Sequence, residues 1–181
     1  MVQRSVATLY SHLVTRPTGQ ALRLGIETQI GEVGAPCLSI LDFRQVVILD
    51  YSCADEAVAK LLQRYSRVDS PADVYFVARG IGERHLETID AVLSRHDLAL
   101  VAETEVQGMA LLGPVPAPLR DAWTALERLT RADALTLGRE LRVGSADAAR
   151  SLRELVSRRV AIPGAGPEEP CLALSSLLPS A

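Results

Sequence analysis

Leu41-Asp42-Phe43-Arg44-Gln45-Val46-Val47-Ile48-Leu49-Asp50-Tyr51-Ser52-Cys53-Ala54-Asp55-Glu56 decides how this chain of 181 residues is read. A short strand expected over Cys37–Asp42 ends on an acid. Val46–Leu49 is a second, almost fully apolar run, the pattern of a strand covered on both faces. It ends at Asp50, and a polar turn opens a helix over Ser52–Tyr65. Ala54, Ala57, Val58, Leu61, Leu62 and Tyr65 fall on one side of that helix.

The same alternation continues in both directions. Ser5–Val14 reads as an opening strand, and Pro17 or Thr18 stands near the cap of a helix. Leu22, Ile26 and Ile30 form its stripe, and Gly31 and Gly34 end it. Further on come a strand over Asp73–Ala78 and a helix marked by Leu86, Ile89, Val92 and Leu93. The segments Leu98–Ala102 and Val106–Leu112 then close the sheet. Strands interleaved with helices predict a layered α/β domain over residues 1–113.

Gly113-Pro114-Val115-Pro116-Ala117-Pro118 interrupts the pattern. Prolines at alternate positions continue neither a helix nor a central strand, so residues 114–118 are expected to form a linker. Charge changes there too. Residues 1–115 hold 10 basic and 14 acidic side chains, net −4, and residues 116–163 hold 9 Arg and 6 acids, net +3. Glu168 and Glu169 follow in the tail. In residues 119–181, Leu119, Ala122, Trp123, Leu126 and Leu129 mark one amphipathic helix. A short helix follows over Thr136–Leu141, capped by Thr136. After Arg142-Val143-Gly144, Ser145 caps a third helix that buries Ala149, Leu152, Val156 and Val160. Ala161-Ile162, a loop over 163–170 and Cys171–Leu174 complete a hairpin. Three helices followed by a hairpin describe a winged helix-turn-helix.

Composition narrows the function classes. Hydrophobic residues are 48%, charged residues 23% and the net charge −3, which speaks for an ordinary folded domain and announces neither nucleic acid nor an acidic membrane. No run of about eighteen apolar residues suggests a membrane span, and Met1–Ser5 opens no secretory signal, so a cytoplasmic location is expected. Cys37, Cys53 and Cys171 are odd in number and lack a Cys-x-x-Cys pair. Together with the scattered His12, His85 and His96 they predict no metal and no disulfide framework. No cofactor is expected, no nucleophile elbow or acid/base pair is present, and an enzyme is not expected.

The stretch from Leu41 to Glu56 resembles the STAS domains of bacterial anti-sigma-factor antagonists, and more closely the STAS-like variants whose helix opens with an Ala-Asp-Glu step. The resemblance covers roughly residues 5–112, with its specific part in about fifteen of them. In that family an Asp is followed by two serines and a glycine at the helix start, and a partner kinase phosphorylates the second serine. Asp50 matches the Asp, Tyr51 the first Ser, Ser52 the second and Cys53 the Gly. The resemblance therefore implies Ser52, with Asp50 and Asp42, as a phosphorylation or partner switch, and an anti-sigma-type kinase or other protein as partner. The residues alone allow a plainer role, in which Ser52 caps the helix and Asp55 returns a bond. Cys53 reads either as an activated thiol at a helix start or as a small packed side chain.

Residues 119–174 look like a bacterial winged helix domain, with Leu137–Ser145 as the helix-turn-helix step and Ser145–Leu155 as its recognition helix. The resemblance implies that Arg150, Arg153 and Ser151 approach base edges or phosphates, and that Arg139, Arg158 and Arg159 add contacts to the DNA backbone. Pairing of Asp147 with Arg150, or of Arg150 with Glu154, on a solvated helix is the alternative.

The combined expectation is a non-enzymatic bacterial regulatory protein. A STAS-like α/β domain binds a partner, and a winged helix acts on DNA or on a protein in transcription or signalling control. One alternative is an interaction module whose winged helix packs on the first domain without touching DNA. Another is nucleotide binding at the Arg79-Gly80-Ile81-Gly82-Glu83 loop. The operator, the partner and the oligomeric state are not readable from the sequence.

Overall fold

The structure, a computed structural model, describes residues 2–66, 70, 72–166 and 169–179. Glu168, within the loop expected over 163–170, lies outside the described residues. The chain is mixed α/β and divides into two compact units, Met1–Pro114 and Val115–Ala181.

The first unit runs β1 (Gln3–Thr8), β2 (His12–Leu13), α1 (Arg16–Val33), β3 (Cys37–Asp42) and β4 (Ile48–Leu49). Next comes one helix in three parts, α2 (Tyr51–Ala54), a π-helical turn (Asp55–Ala59) and α3 (Lys60–Ser66). The unit ends with β5 (Val74–Ile81), α4 (Glu83–Arg95), β6 (Leu100–Thr104) and β7 (Gly108–Leu112). The central sheet has the order β1-β3-β5-β6-β7, parallel except for β7, which runs antiparallel to β6. Each parallel crossover steps one strand in the same direction. Right-handed crossovers therefore carry α1, the α2–α3 helix and α4 to one face. Ile26 and Ile30 of α1, Leu61 of α3 and Ile89 and Leu93 of α4 accordingly share a core with Leu41, Phe76, Ala78 and Leu100 of the strands.

Two strand expectations need correction. The run Ser5–Val14 breaks into β1 and β2. Val46–Leu49 is not a sheet strand covered on both faces: Ile48–Leu49 pairs with His12–Leu13 in a separate parallel ribbon. Val46 and Leu49 are buried, while Val47 and Ile48 remain 49% and 43% exposed. A short apolar run does not distinguish a buried strand from one that shows apolar side chains to solvent. The first helix starts at Arg16, with Thr15 at its cap, whose hydroxyl accepts from Thr18 N at 3.3 Å.

The second unit runs α5 (Ala117–Leu129), β8 (Arg131–Ala132), α6 (Ala134–Leu141), α7 (Ser145–Ser157), β9 (Ala161–Ile162), β10 (Cys171–Ala173) and a 3-10 turn (Leu174–Leu177). β10 lies between β8 and β9, antiparallel to both. The expected caps shift. Asp133, not Thr136, caps α6, accepting from Thr136 N at 2.7 Å, and Gly144 rather than Ser145 holds the cap position of α7. The buried stripe of α7 shifts with it to Ala148, Leu152 and Leu155, leaving Ala149 and Val156 half-buried. Among the described residues no helix is long and apolar enough to cross a membrane.

Candidate functional site

The ribbon and the helix beside it hold Asp50 and Ser52. Asp50 N donates to Leu13 O at 2.8 Å, which fixes the start of α2, and the exposed Asp50 side chain makes no capping bond. Ser52 is not a cap. It lies inside the first turn and its hydroxyl donates to Val14 O at 3.4 Å. The ribbon and the helix start both expose apolar side chains. Tyr10 (63% exposed) and Val14 share one parity along β2 and its flanks, Ile48 stands opposite His12, and Tyr51 precedes Ser52. Arg95 Nη1 lies 3.5 Å from the Tyr51 hydroxyl.

Asp55, expected to return a bond to Ser52, is instead buried with Glu56 in the π-helical turn. Lys60 N reaches back to Asp55 O, five residues earlier, which widens the helix. Arg16 Nη1 donates to Asp55 Oδ2 at 3.3 Å and to Glu56 Oε1 at 2.8 Å, and Lys60 pairs with Glu56. His96 Nε2 meets Asp55 Oδ1 at 2.7 Å, while its Nδ1 faces Gln63 Nε2 at 3.0 Å. Burial alone would push both carboxyls up. The bonds from His96 and Arg16 to Asp55, and from Lys60 and Arg16 to Glu56, outweigh it and hold both below the usual carboxylate range. Neither acid therefore stands as a free negative charge beside Ser52. π-helical turns concentrate at functional sites, and this one joins α1, α3 and the end of α4 through charge.

Asp42 does not join Asp50 and Ser52. It is buried at the end of β3, and Arg44 clamps it with Nε at 2.9 Å and Nη2 at 2.5 Å. The Arg44 bonds hold its carboxyl below the ordinary value. Gly80 makes the clamp possible: it has φ +68° inside β5, and a Cβ there would lie 2.3 Å from Arg44 Cγ. Gly82, at the cap of α4, faces the Glu105 carboxylate, which a Cβ would approach to 3.1 Å. The side chains beside the Gly80–Gly82 loop are thus an arginine already engaged by Asp42 and a carboxylate that would repel a phosphate.

Cys53 is fully buried, and burial together with the charges of Asp50 and Glu56 pushes its thiol up to about 11. At pH 8 a short iodoacetamide pulse on the folded chain should leave Cys53 and the equally buried Cys37 unmodified and label the half-buried Cys171 first. Mass mapping of alkylated peptides checks this. Early labelling of Cys53 would return it to the list of reactive thiols.

In the second unit, Arg150 and Arg153 are exposed on α7 and Arg139 on α6, while Ser151, Arg158 and Arg159 are half-buried. Arg150 pairs with Asp147 at 3.2 Å, and Arg158 Nε with Glu154 at 3.3 Å. The three histidines stay apart from one another: His12 bonds Ser11, and His85 Nε2 meets Val46 O at 3.0 Å. No group of three or more His, Cys, Asp or Glu among the described residues is placed to hold a metal ion. Compared with known proteins, the chain matches no family model and no curated protein.

Proposed function

We propose that this protein is a non-enzymatic bacterial regulator, with a STAS-like first unit that binds a protein partner around Ser52 and a winged-helix second unit that acts on DNA. The carrying observation is the surface at Ser52. Its hydroxyl bonds Val14 O, the exposed Tyr51 precedes it, and the ribbon leading to it exposes Tyr10, Val14 and Ile48, while Arg95 meets Tyr51 and Arg16 meets Asp55. An exposed apolar cluster flanked by Arg and Tyr has the makeup of a protein-docking surface. Nearly two negative charges added at Ser52 would change which partner fits there. The parallel sheet with helices between its strands supports the STAS-like reading, and the order helix, strand, helix, helix and hairpin supports the winged-helix reading. The partner is expected to be an anti-sigma-type kinase or a protein that such a kinase controls.

Protein isolated from its native cells should carry phosphate on Ser52 under at least one growth condition, as mapped by mass spectrometry. Its absence under all conditions removes the switch. For the second unit, binding to random-sequence duplex should weaken steeply with salt, and replacing Arg150 and Arg153 by alanine should lower the salt slope by about two. Because Arg150 and Arg158 are already paired with acids, a second reading has this unit dock a protein and touch no DNA. Absence of DNA binding even at low salt selects it. A nucleotide at the Gly80–Gly82 loop is the third reading, and nucleotide-dependent thermal stabilisation would select it.

A further inference from the structure

The two edges of the central sheet differ. β7 is half-buried along most of its length. β1 forms the other edge, and among the described residues it pairs with β3 alone. Gln3 N donates to Pro36 O at 2.9 Å and Leu9 N to Asp42 O at 3.1 Å, so the odd-numbered residues of β1 turn their backbone groups to β3. The alternate residues of such a strand turn theirs away from the sheet. At Val6 and Thr8 this aims backbone N–H and C=O groups outward along an exposed edge, and the Val6 side chain is 48% exposed. Edges of this kind are ordinarily blunted by proline, a bulge, several charges or shortness. β1 is six residues long, its register against β3 is unbroken, and Arg4 is its one charged residue. The helix above gives no cover either. Arg16, Gly19 and Arg23 of α1 face the π-helical turn, so the opposite flank is Ala21, Gly25 and Gln29, exposed and uncharged, with nothing within 4 Å of a Cβ at Gly25.

We propose that β1 pairs antiparallel with β1 of a second copy of this chain, about a two-fold axis at Val6, so that the sheet continues through both chains. The edge itself selects this occupant. Val6 is the middle one of the outward-turned residues, so at the axis it lies opposite Val6 of the copy and the two exchange hydrogen bonds. Arg4 then lies opposite Thr8, and the one charge of the strand never meets its like. The contact uses the same patch on both chains, closes after two copies and leaves no β1 edge open. A two-fold dimer carries two winged helices, so on the DNA-binding reading the target is an inverted repeat. The dimer does not rest on that reading and is tested without DNA.

Sedimentation equilibrium on the full chain should show reversible association of monomer to dimer. One strand edge is a small interface, so a dissociation constant of about 1–100 µM is expected. Above it, the Val6 and Thr8 amides should exchange with deuterium several-fold more slowly than below it, while those of Ser5 and Ala7, already bonded to β3, change little. Val6→Lys sets two like charges opposite each other at the axis and should weaken the dimer about tenfold or more. Val6→Pro removes an N–H that β3 does not use, a change an edge strand tolerates, and should leave a monomer. A chain still monomeric about tenfold above the expected range overturns the proposal. So does a dimer that Val6→Lys leaves equally tight, or one whose Val6 amide exchanges equally fast at all concentrations. Should Val6→Pro fail to fold, Val6→Lys at this half-exposed position and exchange in the unaltered chain still decide. A dimer that binds no DNA removes the DNA reading alone, and a monomer that binds DNA removes the dimer alone.

Discussion

Glu56→Ala is expected to lower the stability of the first unit by about 3 kcal/mol in urea denaturation near neutral pH. Removing one partner of a buried ion pair costs about 3–5 kcal/mol because the other charges lose their counterion. The low end applies because Arg16 and Lys60 stay about half exposed and recover hydration once Glu56 is gone. Arg23, with little exposure and its Nε buried without a partner, loses Glu56 at 3.8 Å but keeps Glu27 at 3.1 Å, which also holds the loss to the low end. Against a typical total of about 5–15 kcal/mol, the loss is large. The pH dependence follows from the sign of the shifts. The carboxyls of Asp55 and Glu56 lie below their unfolded values, so their stabilisation is fully present above the unfolded range near pH 4–4.5. It is lost as pH falls below that range through the lowered folded values. Between pH 6 and pH 3 the unaltered chain should thus lose more stability than Glu56→Ala. Equal pH slopes for the two proteins would show that Glu56 is not ionised and paired in the native state.

This cluster also marks where sequence reading stops. Period and turn signals were enough to find β3, the stripe Leu22-Ile26-Ile30 and the alternation that makes the chain mixed α/β, because each is set by neighbours in sequence. Asp55 and Glu56 stand in sequence at the first turn of a helix, a place acids favour in isolated helices, where Asp55 is expected to return a bond to Ser52. Their burial depends on Arg16, some forty residues earlier, and on His96 as far in the other direction. No local rule carries that pairing, nor the widened turn that presents both side chains. Ile48 fails for the opposite reason. Its apolar run looks like core, and only its pairing with the short β2 shows that it faces outward in a separate ribbon. In α7 the period was legible but not its phase. Moving the cap from Ser145 to Gly144 accompanies a stripe running through Ala148 and Leu155, and Ala149 and Val156 stay half-buried.

Gly19→Ala and Gly25→Ala, two identical changes six residues apart on α1, are expected to have opposite signs. Alanine in a helix interior is favoured over glycine by about 1 kcal/mol. At Gly25 nothing lies within 4 Å of the added methyl, so that gain should appear nearly whole as increased stability. At Gly19 the methyl would lie 2.6 Å from Cys53 O and 2.9 Å from Glu56 Cβ, and the first of these is helix backbone that no rotamer change can move. Overpacking of this kind costs about 1–3 kcal/mol, and a contact this short belongs at the upper end, so a net loss of about 2 kcal/mol should remain. The loss has a second component. Arg16 is less than one turn from Gly19, and pushing α1 away from Cys53 also draws Arg16 off Asp55 and Glu56. Part of the Gly19→Ala effect should therefore vanish when Glu56 is already alanine, so that the double variant falls short of the summed single losses by more than about 0.5 kcal/mol. Strict additivity would mean that the close approach at Gly19 and the charge cluster at the π-helical turn are independent. In that case α1 is not what holds Arg16 over the two acids next to Ser52.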